Sequence, residues 1–233
     1  MTLKAGIIGS SGGSALMAAV HCLRDAGFRP ELCVVADRDC GLLRWAQREG
    51  FPSHRLLYES AAAFSASATE IMRAEECSDV LLYFTRRVSS PLLGNCRVRN
   101  IHPSLLPAFP GLHGVRDSWR AGVPLLGATL HEVDDGLDTG PIKAQVACAM
   151  PSGLSLDDAE RLSYAQKVYL TLCWFEAIGV IPCAVRSAAI VTCASTAVTV
   201  ASTHLAHPKV AAVYRFWSSN LFARQSEQRS RAS

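Results

Sequence analysis

Asn100 and His102 stand two residues apart in NIHPSLLPAFPGLHG (100–114), a spacing that puts both side chains on one face of an extended strand. They emerge together at the strand's carboxyl end, where ligands bind in open α/β sheets. Pro103, Pro107 and Pro110 follow and stiffen the chain, which suits the wall of a pocket. A second acidic loop, HEVDDGLDTGPI (131–142), carries Asp138 between Gly136 and Gly140, two residues that permit tight turns. A neutral amide donor, an imidazole and a carboxylate in one pocket can stabilise an oxyanion and relay protons, the two needs of acyl transfer to an amine. Each has an ordinary reading when taken alone: a lone histidine is usually a hydrogen-bonded core residue, and Asp138 is a common type of turn residue. Thr129 and His131 lie on the strand that feeds the acidic loop, as supports for the three or as plain strand packing.

The elements that must position these groups follow from hydrophobic patterning. LKAGIIG (3–9) is a short apolar run that ends in SSGGS, after which SALMAAVHCLRDAG repeats its apolar positions at helical spacing. This predicts strand, glycine turn and helix, with Ser14 as N-cap. ELCVVAD (31–37) predicts a strand, 40–49 a helix, HRLLY a short segment, 59–75 a helix and DVLLYF (79–84) a further strand. Strands apolar throughout, alternating with helices, indicate a parallel sheet covered on both faces. The expected fold is therefore α/β, with a Rossmann-like, mostly parallel sheet. In the second half VRNIH (98–102) predicts a strand, followed by a long loop and a helix to about 121. Strands at GATLHEV and PIKAQVACAM come next, then an amphipathic helix over 156–177. Residues 1–185 form the expected catalytic domain. Residues 186–233 are an extension of undecided structure, either edge β-structure or a loosely packed tail, with a disordered polar end.

The chain has 233 residues, 49% of them hydrophobic and 18% charged, enough for one well-filled domain and contrary to disorder over most of its length. Its formal charge of +3 comes from scattered Lys and Arg, so neither nucleic acid nor membrane is an expected partner, and a homodimer is compatible with it. Nine cysteines (Cys22, Cys33, Cys40, Cys77, Cys96, Cys148, Cys173, Cys183 and Cys193) show no metal-ligand spacing and read as small buried side chains; no metal is expected. The amino terminus lacks a secretory apolar region and no apolar run is long enough to span a bilayer, which together suggest the reducing cytoplasm. Gly9, Gly12 and Gly13 do not fit the G-x-G-x-x-G spacing of a dinucleotide site, although Asp37 ends the second strand where a ribose-binding acid would stand. The glycines either cradle a phosphate at a helix start or close a tight turn.

NIHPSLLPAFPGLHG, the AGV-x-x-x-G-A-T-L-H-E-V stretch and D-x-G-L-D-T-G-P-I together resemble the signature region of the glycinamide ribonucleotide formyltransferase family. The resemblance covers roughly residues 1–180 and implies the formyltransferase fold. It further implies 10-formyltetrahydrofolate as formyl donor, a small amine as acceptor, and Asn100, His102 and Asp138 as the catalytic residues. FTRRVS (84–89) is similar to the family's folate loop, so Thr85, Arg86, Arg87 and Val88, with Asp134 and Leu137, are implied folate contacts; Arg86 would meet the folate's carboxylate tail. SSGGSAL is similar to its phosphate turn, implying that Gly12, Gly13 and Ser14 hold the acceptor. The chain departs from the family pattern at Ala15, where an asparagine is expected, and at Ala165 or Gln166, where a glutamate is expected. It departs again at Tyr83, where small residues are expected. The resemblance leaves the acceptor open between glycinamide ribonucleotide and another amine. The other readings are a hydrolase of the same donor, a formyltransferase acting on initiator tRNA, and a non-catalytic folate or nucleotide binder. The first would carry an additional amino-terminal domain and the second a longer basic tail.

Overall fold

The computed structural model of the chain describes residues 3–182, 198–201 and 205–230. The first half alternates β1 (Lys4–Gly9), α1 (Ser14–Asp25), β2 (Glu31–Ala36), α2 (Gly41–Glu49), β3 (Ser53–Arg55), α3 (Ala61–Ala74) and β4 (Asp79–Tyr83). The second half runs α4 (Leu92–Asn95), β5 (Arg97–His102), α5 (Gly114–Arg120), β6 (Leu125–Glu132), β7 (Ile142–Ala149), α6 (Leu156–Ala177), β8 (Val198–Ala201) and α7 (Pro208–Ser230). One sheet has the order β3-β2-β1-β4-β5-β6-β7-β8. It is parallel from β3 to β5 and antiparallel from β5 to β8. The α/β, Rossmann-like expectation holds, and the antiparallel half is where the patterning changes.

The continuous apolar runs of β1, β2 and β4 reflect burial on both faces. Ile7 turns toward α1, α2, α6 and α7, while its neighbour Ile8 turns toward α3 and α4, and both are fully buried. Complete burial of such a side chain stabilises the fold by about 1.5–3 kcal/mol. The strand order reverses between β1 and β4, so their carboxyl ends diverge and leave a crevice.

The helix starts obey local chemistry. Ser60 accepts a hydrogen bond from Ala63 N at 3.1 Å and Ser155 one from Asp158 N at 3.2 Å, each satisfying an amide that the first helical turn leaves free. Ser14 does not cap α1, contrary to expectation; the cap is Gly13 in the left-handed region at φ 68°, without a side-chain bond. A Cβ at Gly13 would also meet Leu42 Cδ1 at 2.7 Å. The glycine turn thus admits close packing of α2, which gives the tight-turn reading its physical basis.

Two sequence expectations change. The long helix is amphipathic only in its first half; Val168 through Glu176 are buried all round, because α1, the sheet and α7 enclose them. The extension forms edge strand β8, paired antiparallel to β7, and α7, whose Val210 and Tyr214 join the main core. The polar end expected to be disordered is helical through Ser230. Ala211, Val213 and Trp217 of this helix pack beside Val210 and Tyr214. Its dock is electrostatic as well: Glu176 is 8% exposed and accepts from Ala206 N at 2.8 Å and His207 N at 2.7 Å, just before the helix begins. The seven described cysteines are free thiols, six of them buried; Cys183 and Cys193 lie outside the described residues.

Replacing Glu176 with Ala removes the acceptor of two part-buried amides and should cost about 1–3 kcal/mol. The expected result is a lower thermal midpoint with earlier proteolytic cleavage before residue 208, read by calorimetry and limited trypsin digestion.

Candidate active site

The antiparallel pairing of β5 with β6 sets Asn100 opposite His131 and His102 opposite Thr129. On its other edge β6 shifts register against β7 between Leu130 and His131, an irregularity of the kind that re-aims side chains beside functional sites. Asn100 Nδ2 lies 3.3 Å from His131 Nε2. His131 Nδ1 is 2.7 Å from the Glu132 carbonyl, which can only accept, so Nδ1 carries the proton and Nε2 is free to accept from Asn100. Burial, above all, lowers the His131 pKa, opposed by the Glu132 hydrogen bond and the Asp138 charge; the neutral ring that this favours agrees with those contacts.

His102 is 3% exposed, with Nε2 at 2.7 Å from Phe109 O and Nδ1 at 3.2 Å from Asp138 Oδ2. Both ring nitrogens therefore face oxygen atoms, a backbone carbonyl on one side and a carboxylate on the other. Asp138 has a left-handed backbone, φ 55°, accepts from Gly111 N at 2.8 Å, and places Oδ1 3.6 Å from His131 Nε2. A Cβ at Gly140 would lie 2.0 Å from the Glu132 carbonyl oxygen, so the loop can close onto β6 only because residue 140 lacks a side chain. Behind the cluster, Thr129 Oγ1 donates to Ser104 O at 2.7 Å and accepts from Leu106 N at 3.0 Å, and Gln145 Nε2 donates to Leu106 O at 2.8 Å. The proline-rich loop is thereby pinned to the sheet.

These groups border a cavity of about 330 Å³ at the carboxyl ends of β4 and β5, beside the crevice at β1. Asn100, His102, His131 and Asp138 line it, and so do all six residues expected at the folate, Thr85, Arg86, Arg87, Val88, Asp134 and Leu137. Leu112 and Leu137, 75% and 64% exposed, offer apolar flanks at its mouth. Gly12, Gly13 and Ser14 do not line it; only Ser11 of that turn does.

Arg86 is partly committed: its Nε donates to Asp37 Oδ2 at 2.8 Å and its guanidinium lies 4.8 Å from the Tyr58 ring centre. Arg38 also pairs with Asp37, and the two guanidinium groups, Arg38 foremost, hold the Asp37 carboxyl below the usual range. Asp37 is only 1% exposed at its side chain, so it is not free to reach a ribose; two arginines against one carboxylate leave a positive charge at the rim. Asp134 accepts from Gly136 N at 3.0 Å and Thr139 Oγ1 at 2.8 Å, shaping the acidic loop from within. Arg87 donates to the Asp135 carbonyl and so ties the two loops together.

Sequence reasoning underrated His131, which touches the cluster directly, and missed Phe109, whose left-handed backbone (φ 54°) aims its carbonyl at His102. It also missed Gln145 and Lys167. Neither Gln145 nor Lys167 carries a local motif, although Lys167 stands out as a cation within an otherwise buried stretch of α6. Tyr83, flagged as unusually large, borders the cavity and bonds Thr171; because Thr171 donates to Lys167 O at 2.7 Å, the phenol is the donor of that pair. Among the described residues there is no cluster that could hold a metal ion and no helix long and apolar enough to cross a membrane.

Comparison with known proteins agrees with this architecture. The formyl transferase family matches residues 4–168. A phosphoribosylglycinamide formyltransferase of Bacillus subtilis (strain 168) is 42% identical over 107 residues, 45% of this chain and 55% of that protein, so the chain spans about half the length of this curated relative. Among solved structures, glycinamide ribonucleotide transformylase 1 from Symbiobacterium toebii superposes with a TM-score of 0.68 at 34% identity, covering 76% of this chain and 86% of that one. Phosphoribosylglycinamide formyltransferase from Streptococcus pneumoniae TIGR4 does so with a TM-score of 0.66 at 30% identity, covering 76% and 99%. With most of its length matched and the sheet and loops in agreement, the chain belongs to the formyl transferase family.

Proposed function

We propose that the protein transfers a formyl group from 10-formyltetrahydrofolate to a small amine, glycinamide ribonucleotide or a related acceptor, in the reducing cytoplasm as a step of one-carbon metabolism. The observation that carries this reading is the polar cluster Asn100, His131, Asp138 and His102 on the wall of one cavity. The names of the similar proteins point the same way.

In the proposed reaction the unprotonated amine attacks the formyl carbon. A C–N bond forms, and negative charge gathers on the formyl oxygen. Asn100 gives one amide proton to His131 Nε2 and keeps the second for that oxygen. His102 is the second donor to it, beside the Asp138 carboxylate. Its Nε2 already meets Phe109 O, so donation to substrate requires the oxygen to share or displace that contact. Such rearrangements on forming the reactive complex are common in active sites. Asp138 takes the proton lost by the amine, directly or through water. The C–N bond to folate then breaks as Asp138, directly or through the same water, passes that proton on to the folate nitrogen. Thr85, Val88, Asp134 and Leu137 line the folate end, Arg87 braces it, and the surplus charge of Arg86 and Arg38 at the rim suits the donor's carboxylate tail. Gly12, Gly13 and Ser14 stand as the acceptor-side turn, reached from the cavity through Ser11.

The first test mixes the full chain with 10-formyltetrahydrofolate and a panel of amines, following tetrahydrofolate and formylated product by mass spectrometry. Formate release without any acceptor would sink the transferase reading in favour of a hydrolase. Asn100→Ala should lower kcat by about 10²–10³-fold with an unchanged thermal midpoint, the usual loss for one oxyanion donor. Gly140→Ala, which forces the acidic loop away from β6, should lower kcat without abolishing folding. His131 yields a pH prediction. Its folded pKa lies below the ordinary value of 6.5, so as pH falls through 6.5 the unfolded chain takes up a proton that the folded chain refuses. Stability should therefore fall with pH in that window and level off below the folded pKa. His131→Asn should flatten this part of the profile, as read from thermal midpoints between about pH 8 and about pH 5.

A further inference from the structure

The segment 84–89 joins β4 to α4, and Phe84 through Val88 line the cavity. Thr85, Arg86 and Arg87 within it are exposed, so the segment keeps its shape through the few contacts it makes with its neighbours. Serines pin its two ends: Thr85 N donates to Ser10 Oγ at 3.2 Å and Ser89 N to Ser65 Oγ at 2.9 Å. Between these pins the loop meets Tyr58, from the stretch that joins β3 to α3. The Tyr58 hydroxyl donates to Arg87 O at 3.0 Å, the Arg86 guanidinium lies 4.8 Å from its ring centre, and the Phe84 ring is 5.9 Å away. Phe64 of α3 is buried and packs on both rings, 5.5 Å from Tyr58 and 4.9 Å from Phe84, which seats the phenol on the core.

The contacts act on different parts of the loop. The peptide between residues 87 and 88 is trans, so its N–H lies opposite its carbonyl. Holding Arg87 O at Tyr58 therefore turns Val88 N–H away from Tyr58 and fixes the plane of a peptide that lines the cavity. The ring face attracts the Arg86 guanidinium by its quadrupole, while Asp37 takes Nε at 2.8 Å. Held on one face and at one edge, the guanidinium keeps a single orientation. Arg87 reaches across to the Asp135 carbonyl, so the loop ordered by Tyr58 also braces the acidic loop.

We infer that Tyr58 is a positioning residue for the formyl donor: it shapes the 84–88 loop through its hydroxyl and orients Arg86 through its ring, while lying outside the lining of the cavity. The inference rests on the formyl-transfer reading for the identity of the donor. Because Tyr58 acts on this loop alone, its loss alters donor binding and leaves the chemical step at Asn100 and His102 as it was.

The test compares the full chain with Tyr58→Phe, which loses only the hydroxyl, and Tyr58→Leu, which loses the aromatic face as well. Loop order is read by amide hydrogen exchange across 84–89 and by the rate of trypsin cleavage after Arg86 and Arg87. Both should rise in the two variants, with exchange elsewhere in the chain unchanged. The KM for 10-formyltetrahydrofolate should rise roughly 3- to 10-fold in Tyr58→Phe, the effect of one net hydrogen bond, and further in Tyr58→Leu. The kcat and the KM for glycinamide ribonucleotide should stay at their parental values. Affinity regained between the Leu and the Phe variant assigns that share to the ring. A merely structural role would lower the yield of folded protein and leave the donor KM unmoved. Folded variants with parental exchange at 84–89 overturn the inference, and so does faster exchange with a parental donor KM. Tetrahydrofolate binding by the parent, followed by fluorescence quenching, reports separately on the formyl-transfer reading: its absence removes that reading and the donor role with it, while the exchange result still decides whether Tyr58 orders the loop.

Discussion

The Asp138 carboxylate accepts from Gly111 N at 2.8 Å, faces His102 Nδ1 at 3.2 Å and lies 3.6 Å from His131 Nε2, so a single anion bears on β5, on β6 and on the loop between them. Burying a carboxylate is costly unless its lone pairs are satisfied, and these partners are what satisfy it. The constraint propagates outward. For Asp138 to reach them, residue 138 takes a left-handed backbone and residue 140 has no side chain. For His102 to be held from its other side, Phe109 turns its carbonyl inward and the proline loop is fastened through Thr129 and Gln145.

The sheet supplies the frame that makes this arrangement affordable. Its parallel half is buried on both faces and ends at the crevice where strand order reverses; its antiparallel half pairs β5 directly with β6. The reversed direction of β6 against β5 is what sets Asn100 opposite His131. The two halves therefore contribute different things: a cleft from the parallel topology and a cross-strand polar pair from the antiparallel one.

Electrostatics differ between the two ends of the cavity region. Toward the expected folate end, Arg38 and Arg86 are balanced in part by Asp37, which leaves a modest positive rim that solvent screens. Toward α6, Lys167 is half-buried and, among the described residues, has no carboxylate at ion-pair distance, so its charge is screened less than that of the rim arginines. Tyr83, through Thr171, braces the α6 backbone at Lys167 and connects the floor of the main cavity to this helix. Tyr83 thereby ties α6 to the wall of the cavity that Asn100, His102 and Asp138 also line.

Much of this was legible before any coordinates. Apolar runs that are buried on both faces announce a covered parallel sheet, and the i, i+2 spacing of Asn100 and His102 announces a shared strand face, because both are local consequences of backbone geometry. The α6 boundaries also follow from the sequence, since Ser155 and the acidic residues after it are a local start signal. The β8 and α7 elements were not legible: their pairing and docking are long-range, with Glu176 meeting the amides of Ala206 and His207 across about 30 residues of chain, and no local pattern encodes such a contact. The direct role of His131 at the cluster, the inward carbonyl of Phe109 and the position of Lys167 on the cavity wall likewise depend on which strands and helices become neighbours. By itself the sequence determined the element types through α6 and the identity of the polar groups at the cluster. Only the tertiary structure decided their distances and their protonation partners, because those are set by packing among segments far apart in the chain.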